Sequence, residues 1–310
     1  MSNLINPQPI SSLNLPVPKQ PPFLKKGVRD TFVVPRSTQT LMQGFNLLAH
    51  LAPNAMAEVA YRLLARPRRA KKSYLNRLPD GARPFSFPFR TQKLNGFRWG
   101  ESGPKVILLH GWESHLGRML PLVNPLREAG YQVIALDGPA HGRSGHRSTN
   151  VFDFGEALKA LLIREAGAEA ILAHSFGAAA TMLMLANNRY LQPEKLVCFA
   201  PMANMRIHLS IFQSLSGVTN RTMRLIETKL KQRFGGDGAI WDVTNFAHRL
   251  SCRGMVIHDK DDPIVPFDLG ASLAAGWPMA ELMMTNGLGH NRILKDPLTI
   301  GRTIDFLRGL

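Results

Sequence analysis

A chain of 310 residues that is 45% hydrophobic can bury one large core, and the reading taken is a single domain behind an N-terminal extension. The formal charge of +16 is lopsided: residues 1–93 hold fifteen Lys and Arg against Asp30, Glu58 and Asp80, leaving only about +4 for the rest, so no acidic partner is implied for the body. Cys198 and Cys252 lie in apolar stretches, which excludes a disulfide framework and metal-ligand spacing. It also points to a reducing, cytoplasmic setting, and no secretory signal is expected in the first thirty residues.

Residues 1–36 are rich in proline (Pro7, Pro9, Pro16, Pro18, Pro21, Pro22 and Pro35) and predict an extended or disordered arm. A basic helical extension over 37–84 follows. Leu41, Phe45, Leu48 and Leu51, then Met56, Val59, Ala60, Leu63 and Leu64, recur at helical spacing and predict two short amphipathic helices broken at Pro53. Gln43, Asn46, His50, Asn54 and Glu58 interrupt the apolar run and argue against a membrane span. Two readings stay open: a helical pair packed on the body, or an interfacial anchor. The second draws on Arg62, Arg66, Arg68, Arg69, Lys71 and Lys72, and implies weak contact of residues 40–72 with anionic membrane. No nucleic-acid partner is expected, because neither zinc-ligand spacing nor an aromatic-basic single-strand motif is present.

From residue 85 to 310, short apolar runs alternate with helical stretches, the pattern of an α/β fold with a mostly parallel sheet between helices. The predicted strands are Phe85–Phe89, Leu94–Trp99, Val106–His110, Gln132–Asp137, Ala170–His174, Leu196–Ala200, Gly254–His258 and Ala280–Thr285, the first two forming an antiparallel edge. Helices are expected over Met119–Ala129, Phe152–Ala166, Phe176–Asn187 and Asp296–Leu307. The interval 205–249 is too long for a plain crossover and reads as an inserted helical cap.

Ile171-Leu172-Ala173-His174-Ser175-Phe176-Gly177 runs from an apolar strand into a small-residue helix start. It reads as a nucleophile elbow, whose tight reversal needs small residues two positions on either side of the serine. A serine hydroxyl also needs a base and a group that orients the base. After Met255–His258 come Asp259, Asp261 and Asp262; Asp262, directly before Pro263, is the acid selected. His290 follows the last strand on a glycine-rich loop and is the candidate base. His110-Gly111-Trp112-Glu113 follows the third predicted strand. There the backbone N–H of Trp112 is expected to join that of Phe176 as an oxyanion hole, with His110, Gly111, Glu113 and His174 as pocket-lining candidates. His141, Gly142, Arg143 and Ser144 read as turn residues without chemistry.

The stretches HGWESHLGRMLPLVNPLREAGYQVIALDGPAHGRS, AHSFGAAA, HDKDDPIVP and GLGHNRIL resemble a bacterial hydrolase branch of the α/β-hydrolase superfamily over residues 85–310. The resemblance implies an eight-stranded, mostly parallel sheet and a cap after the sixth strand. It also implies catalysis without a cofactor, a Ser175–His290–Asp262 triad, and oxyanion amides at Trp112 and Phe176. Ala173 replaces the first glycine of the usual elbow, and Pro139-Ala140-His141-Gly142 replaces the usual Pro-Gly-His-Gly turn. The expected activity is hydrolysis of a small-molecule carboxylic ester or thioester through an acyl-enzyme on Ser175. The alternatives are acyl transfer on the same triad and a non-catalytic, membrane-associated binding protein.

Overall fold

The computed structural model describes residues 36–76, 78–235 and 242–310, so the proline-rich arm lies outside the described residues. Its core is an eight-stranded sheet: β1 (Arg83–Phe89), β2 (Gln92–Trp99), β3 (Lys105–Leu109), β4 (Gln132–Asp137), β5 (Ala170–His174), β6 (Lys195–Phe199), β7 (Arg253–Asp259) and β8 (Ala280–Thr285). The spatial order is β1-β2-β4-β3-β5-β6-β7-β8; β2 is antiparallel to both β1 and β4, and all remaining pairs are parallel. Strands β3 to β7 read as near-continuous apolar runs because both faces of a parallel sheet are covered.

The helices are α1 (Arg36–Leu51), α2 (Pro53–Leu64), α3 (Lys72–Leu75), α4 (Val123–Glu128), α5 (Val151–Arg164), α6 (Phe176–Asn187), α7 (Met205–Ser216), α8 (Asn220–Phe234), α9 (Phe267–Gly276), α10 (Gly289–Arg292) and α11 (Pro297–Arg308). Phe154, Leu158 and Leu161 of α5, the small residues of α6 and Leu273 of α9 fill one side of the sheet. Leu126 of α4 and Phe306 and Leu307 of α11 fill the other. Burying residues all round α6 requires its Ala-rich sequence, since only small side chains let a helix sit this close to the strands beside it.

Pro53 does more than break the helical run: it opens α2, where its missing N–H costs nothing. The extension packs on the cap. Ala60 and Leu64 of α2 join Leu209 of α7 and Met223, Ile226 and Leu230 of α8 in a third apolar cluster, with Phe45 of α1 against its edge. The helical insertion is shorter than the sequence suggested. Val243–Arg249 forms a 3-10 helix against α6 and α9, burying Val243 and Ala247 in the main core, so it belongs to the body. Charge placement also needs correction. Residues 205–234 carry Arg206, Arg221, Arg224, Lys229, Lys231 and Arg233 against Glu227 alone, so the net basicity sits on both helical layers rather than on the extension only.

Candidate active site

Ser175 sits between the last residue of β5 and the first of α6 with φ 53° and ψ −118°, a left-handed conformation that a non-glycine residue holds only under constraint from its surroundings. Its N–H donates to Phe199 O at 2.9 Å, and its carbonyl accepts from Ala178, Ala179 and Met202. Gly177 explains the small-residue requirement: a Cβ there would stand 2.3 Å from His110 O. Gly111 is nearly as confined, since a Cβ would meet that of Ser175 at 3.0 Å.

β7 and β8 deliver the other two groups. Asp262 follows the end of β7, and its Oδ1 accepts the backbone N–H of Ile264 and Val265 at 2.8 and 2.9 Å. His290 is the second residue of a short helix, α10, which follows the glycine-rich loop and whose first residue, Gly289, holds a positive φ of 63°. His290 Nδ1 lies 2.7 Å from Asp262 Oδ2, and its Nε2 lies 2.9 Å from Ser175 Oγ. A carboxylate only accepts, so Nδ1 carries the proton and Nε2 is left to accept from the serine hydroxyl. Burial opposes charge on Asp262, but hydrogen bonds from His258 and His290, the charge of His290 and the backbone N–H groups outweigh it. They hold the carboxyl well below the usual carboxylate range. Asp259 instead accepts from Thr285, Leu288 and Asp261, and Asp261 accepts from Gly287, so both shape the neighbouring turns.

The backbone N–H groups of Trp112 and Phe176 have no hydrogen-bond partner among the described residues. Phe176 is the first residue of α6, where N–H groups are free by helix geometry and the dipole is positive. Such an arrangement can take the proton from a serine hydroxyl and stabilise an oxyanion beside it. Among the described residues no cluster of three His, Cys, Asp or Glu is arranged to hold a metal ion.

Three of the four pocket-lining candidates serve other purposes, and Gly111 meets the serine through its backbone. His110 is fully buried: its Nε2 accepts the Gly138 N–H at 3.0 Å and Nδ1 contacts Gly111 O at 2.7 Å, so burial holds it neutral. His174 is buried against the back of His290, its Nε2 donating to the His290 carbonyl at 2.9 Å. Burial and the neighbouring His290 push its pKa down to about 3. Glu113 turns outward to Arg68 of the extension, with Oε2 2.7 Å from Arg68 Nε. His141, read as a turn residue, accepts the Glu113 N–H on Nε2 at 3.0 Å, and burial lowers its pKa to about 4. These histidines fix the loop that carries Trp112.

Sequence reasoning missed His208 and His258. His258 Nε2 donates to Val265 O at 3.0 Å and lies 3.4 Å from Asp262 Oδ2; its position four residues before the acid was the available signal. His208 of α7 packs edge-on against Trp112, with ring centroids 4.7 Å apart, and nothing local in the sequence brings those residues together. Ser175 and His290 are only 4% and 7% exposed, so the hydroxyl and its base are both buried. A small cleft of about 50 Å³ lies against the side chains of Trp112 and Phe176, walled by α2, α7 and α8.

A family model described as Hydrolase_4, serine aminopeptidase S33, matches residues 100–235. A serine hydrolase-like protein from Danio rerio is 39% identical over 72 residues, 23% of this chain; the match spans about a fifth of that relative, 22% of its length. Among solved structures, Est1E from Butyrivibrio proteoclasticus with ferulic acid bound aligns at a TM-score of 0.58 and 16% identity, covering 73% of this chain and 96% of that one. An esterase from Pyrococcus furiosus aligns at 0.58 and 19%, covering 79% and 98%. 2-Hydroxy-6-oxo-6-phenylhexa-2,4-dienoate hydrolase from a Rhodococcus strain aligns at 0.57 and 18%, covering 74% and 99%. The eight-stranded sheet and its flanking helices have the α/β-hydrolase fold.

Proposed function

We propose that this chain is a serine hydrolase that cleaves a small-molecule carboxylic ester or thioester through an acyl-enzyme on Ser175. The observation that carries the reading is the unbroken chain Ser175 Oγ–His290–Asp262, at 2.9 and 2.7 Å, beside two unpartnered backbone N–H groups. His290 Nε2 takes the hydroxyl proton as Oγ attacks the carbonyl carbon, and the oxyanion is received by the N–H groups of Trp112 and Phe176. Collapse expels the alcohol or thiol, which leaves with the proton from His290. Water, deprotonated by the same nitrogen, then releases the acid and restores Ser175. Asp262 keeps the imidazole in the Nδ1–H tautomer and stabilises its charged form.

Fluorophosphonate labelling, read by intact mass and peptide mapping, tests this. One adduct at Ser175 is expected in the native chain and none in Ser175→Ala or His290→Ala. An adduct at another residue, or full esterase activity in Ser175→Ala, overturns the assignment.

We also propose weak contact of residues 40–72 with anionic lipid. Leu47, Leu48 and Leu51 project from α1 at 67%, 53% and 80% exposure. On α2 and just beyond it, Val59, Arg62, Leu63 and Arg66 share the face opposite Ala57, Ala60, Tyr61 and Leu64. No helix among the described residues is long and apolar enough to cross a membrane. Sedimentation with phosphatidylglycerol vesicles should retain the protein at low salt, and replacing the three leucines with serine should release it. Retention equal to that on phosphatidylcholine alone counts against this contact.

A further inference from the structure

The cleft beside the candidate site takes its walls from three separate parts of the chain. Trp112 and Phe176 come from the sheet-bearing body, Leu209 and Leu230 from the cap, and Tyr61 and Leu64 from α2. Ala65, directly after α2, also lines the cleft, and its carbonyl accepts the Thr149 N–H at 2.8 Å, fixing the extension to the segment before α5. Helix α2 is two-faced. Positions 57, 60, 61 and 64 turn inward at helical spacing, and positions 59, 62, 63 and 66 turn outward. Without the inward face, the cleft would be an open groove between α7, α8 and the body.

The chemistry of the lining is narrow. Aromatic and aliphatic side chains make up most of it, with Phe152 and Phe234 stacked at 5.0 Å near one end. The one titratable imidazole in the wall, His208, lies edge-on to Trp112 and 5.3 Å from Phe176. Burial pushes its pKa down to about 4, so at neutral pH it offers an uncharged ring. A charged or strongly hydrated group would lose its water here without compensation, whereas an apolar group loses nothing and gains contact. Trp112 and Phe176 are also the residues whose backbone N–H groups would hold the carbonyl oxygen, so the cleft and the proposed oxyanion site share two residues.

We infer that helix α2 of the N-terminal extension is a working wall of the substrate site, and that the cleft takes a compact apolar or aromatic group of the ester. This deepens the serine-hydrolase reading and rests on it. Tyr61 and Ala65 are then specificity-determining residues contributed from outside the hydrolase body. The group belongs either to the acyl or to the alcohol portion, and the two are separated by the substrates used.

The test measures kcat/KM on the full chain with two series. One varies the acyl group of p-nitrophenyl esters from acetyl through butyryl to benzoyl and phenylacetyl. The other varies the alcohol of acetate esters over matching groups. In the series that reports the cleft, the benzoyl or benzyl member should exceed the smallest by roughly tenfold or more, the scale on which apolar pockets discriminate. Ala65→Leu, which fills the cleft, should lower that ratio; Tyr61→Ala, which opens it, should move the optimum to larger groups. Opposite shifts from two variants separate a wall from a general loss of folding, and melting curves together with fluorophosphonate adducts check each preparation. Ratios that stay at the native value in both series, with labelling intact, overturn the inference alone. Failure of the native chain to label at Ser175 overturns the serine-hydrolase reading beneath it.

Discussion

Arg68, in the segment between α2 and α3, grips Glu113, the residue next to Trp112, through both its guanidinium and its backbone N–H. The distances are 2.7 Å from Nε to Oε2 and 3.3 Å from N to Oε1. Glu113 holds φ 48°, and its own N–H is received by His141. The extension is thus fastened to the loop that presents the Trp112 N–H.

Arg68→Ala should separate positioning from stability. The guanidinium is 73% exposed, and an exposed pair is worth about 0–1 kcal/mol, so the urea midpoint should scarcely move. If the grip sets the attitude of the Trp112 amide, kcat should fall several-fold with KM nearly constant, and Arg68→Lys should restore only part of it, because lysine cannot offer the same fork. Unchanged kcat would reduce the contact to surface decoration.

Asp262→Asn keeps the shape but lets the imidazole take the wrong tautomer. A drop in kcat of about 10⁴-fold is expected on the scale known for such replacements. Asp262 also contributes to stability. Its folded pKa is depressed, so its contribution is present above the unfolded value of about 3.9 and is lost as pH falls through the folded value. The stability gap between native chain and variant, followed by urea titration, should therefore narrow only at strongly acidic pH.

A broader acid sensitivity follows from His110, His141 and His174. All three are buried, and burial lowers the pKa of each; the values are about 4 for His141 and about 3 for His174. Each takes up a proton on unfolding when the pH lies below the unfolded value of about 6.5 and above its folded value, so stability falls as pH drops through that window. The slope is ~1.4 kcal/mol per pH unit for each proton. Asp137 works the other way: burial raises its pKa to about 6, so its contribution is present below about 3.9 and lost as pH rises through 6. Urea midpoints between pH 7 and 5 should decline, and a flat profile would mean that water reaches these imidazoles.

Gly177→Ala should damage both fold and site. The added carbon would lie 2.3 Å from a backbone oxygen that has no flexible side chain to yield. A loss of about 1–3 kcal/mol is expected, as for overpacking elsewhere. The shift would displace the Phe176 N–H, so phosphonate labelling at Ser175 should slow even where the variant remains folded.

Periodicity and chain order carried most of the sheet. Parallel strands covered on both faces must be written as apolar runs, and each of the eight was legible within two residues of its bounds. Ser175 was legible because its tight reversal demands small neighbours, and Asp262 and His290 because they follow strand ends in order. The neutral histidines under the site were not. His110 and His174 were read as lining because nothing in sequence distinguishes an imidazole facing substrate from one tied to backbone, His110 through both nitrogens and His174 through Nε2 alone.

The sequence by itself determined which segments become strands and helices, and that one serine lies at a strained turn, since backbone sterics and apolar spacing act over a few residues. Only tertiary structure decided what the extension does. Tyr61, Leu64 and Arg68 stand roughly 50 to 170 residues from Glu113, Phe176, Leu209 and Leu230, and they meet only because α2 could bury its inward face on the cap rather than leave it in water.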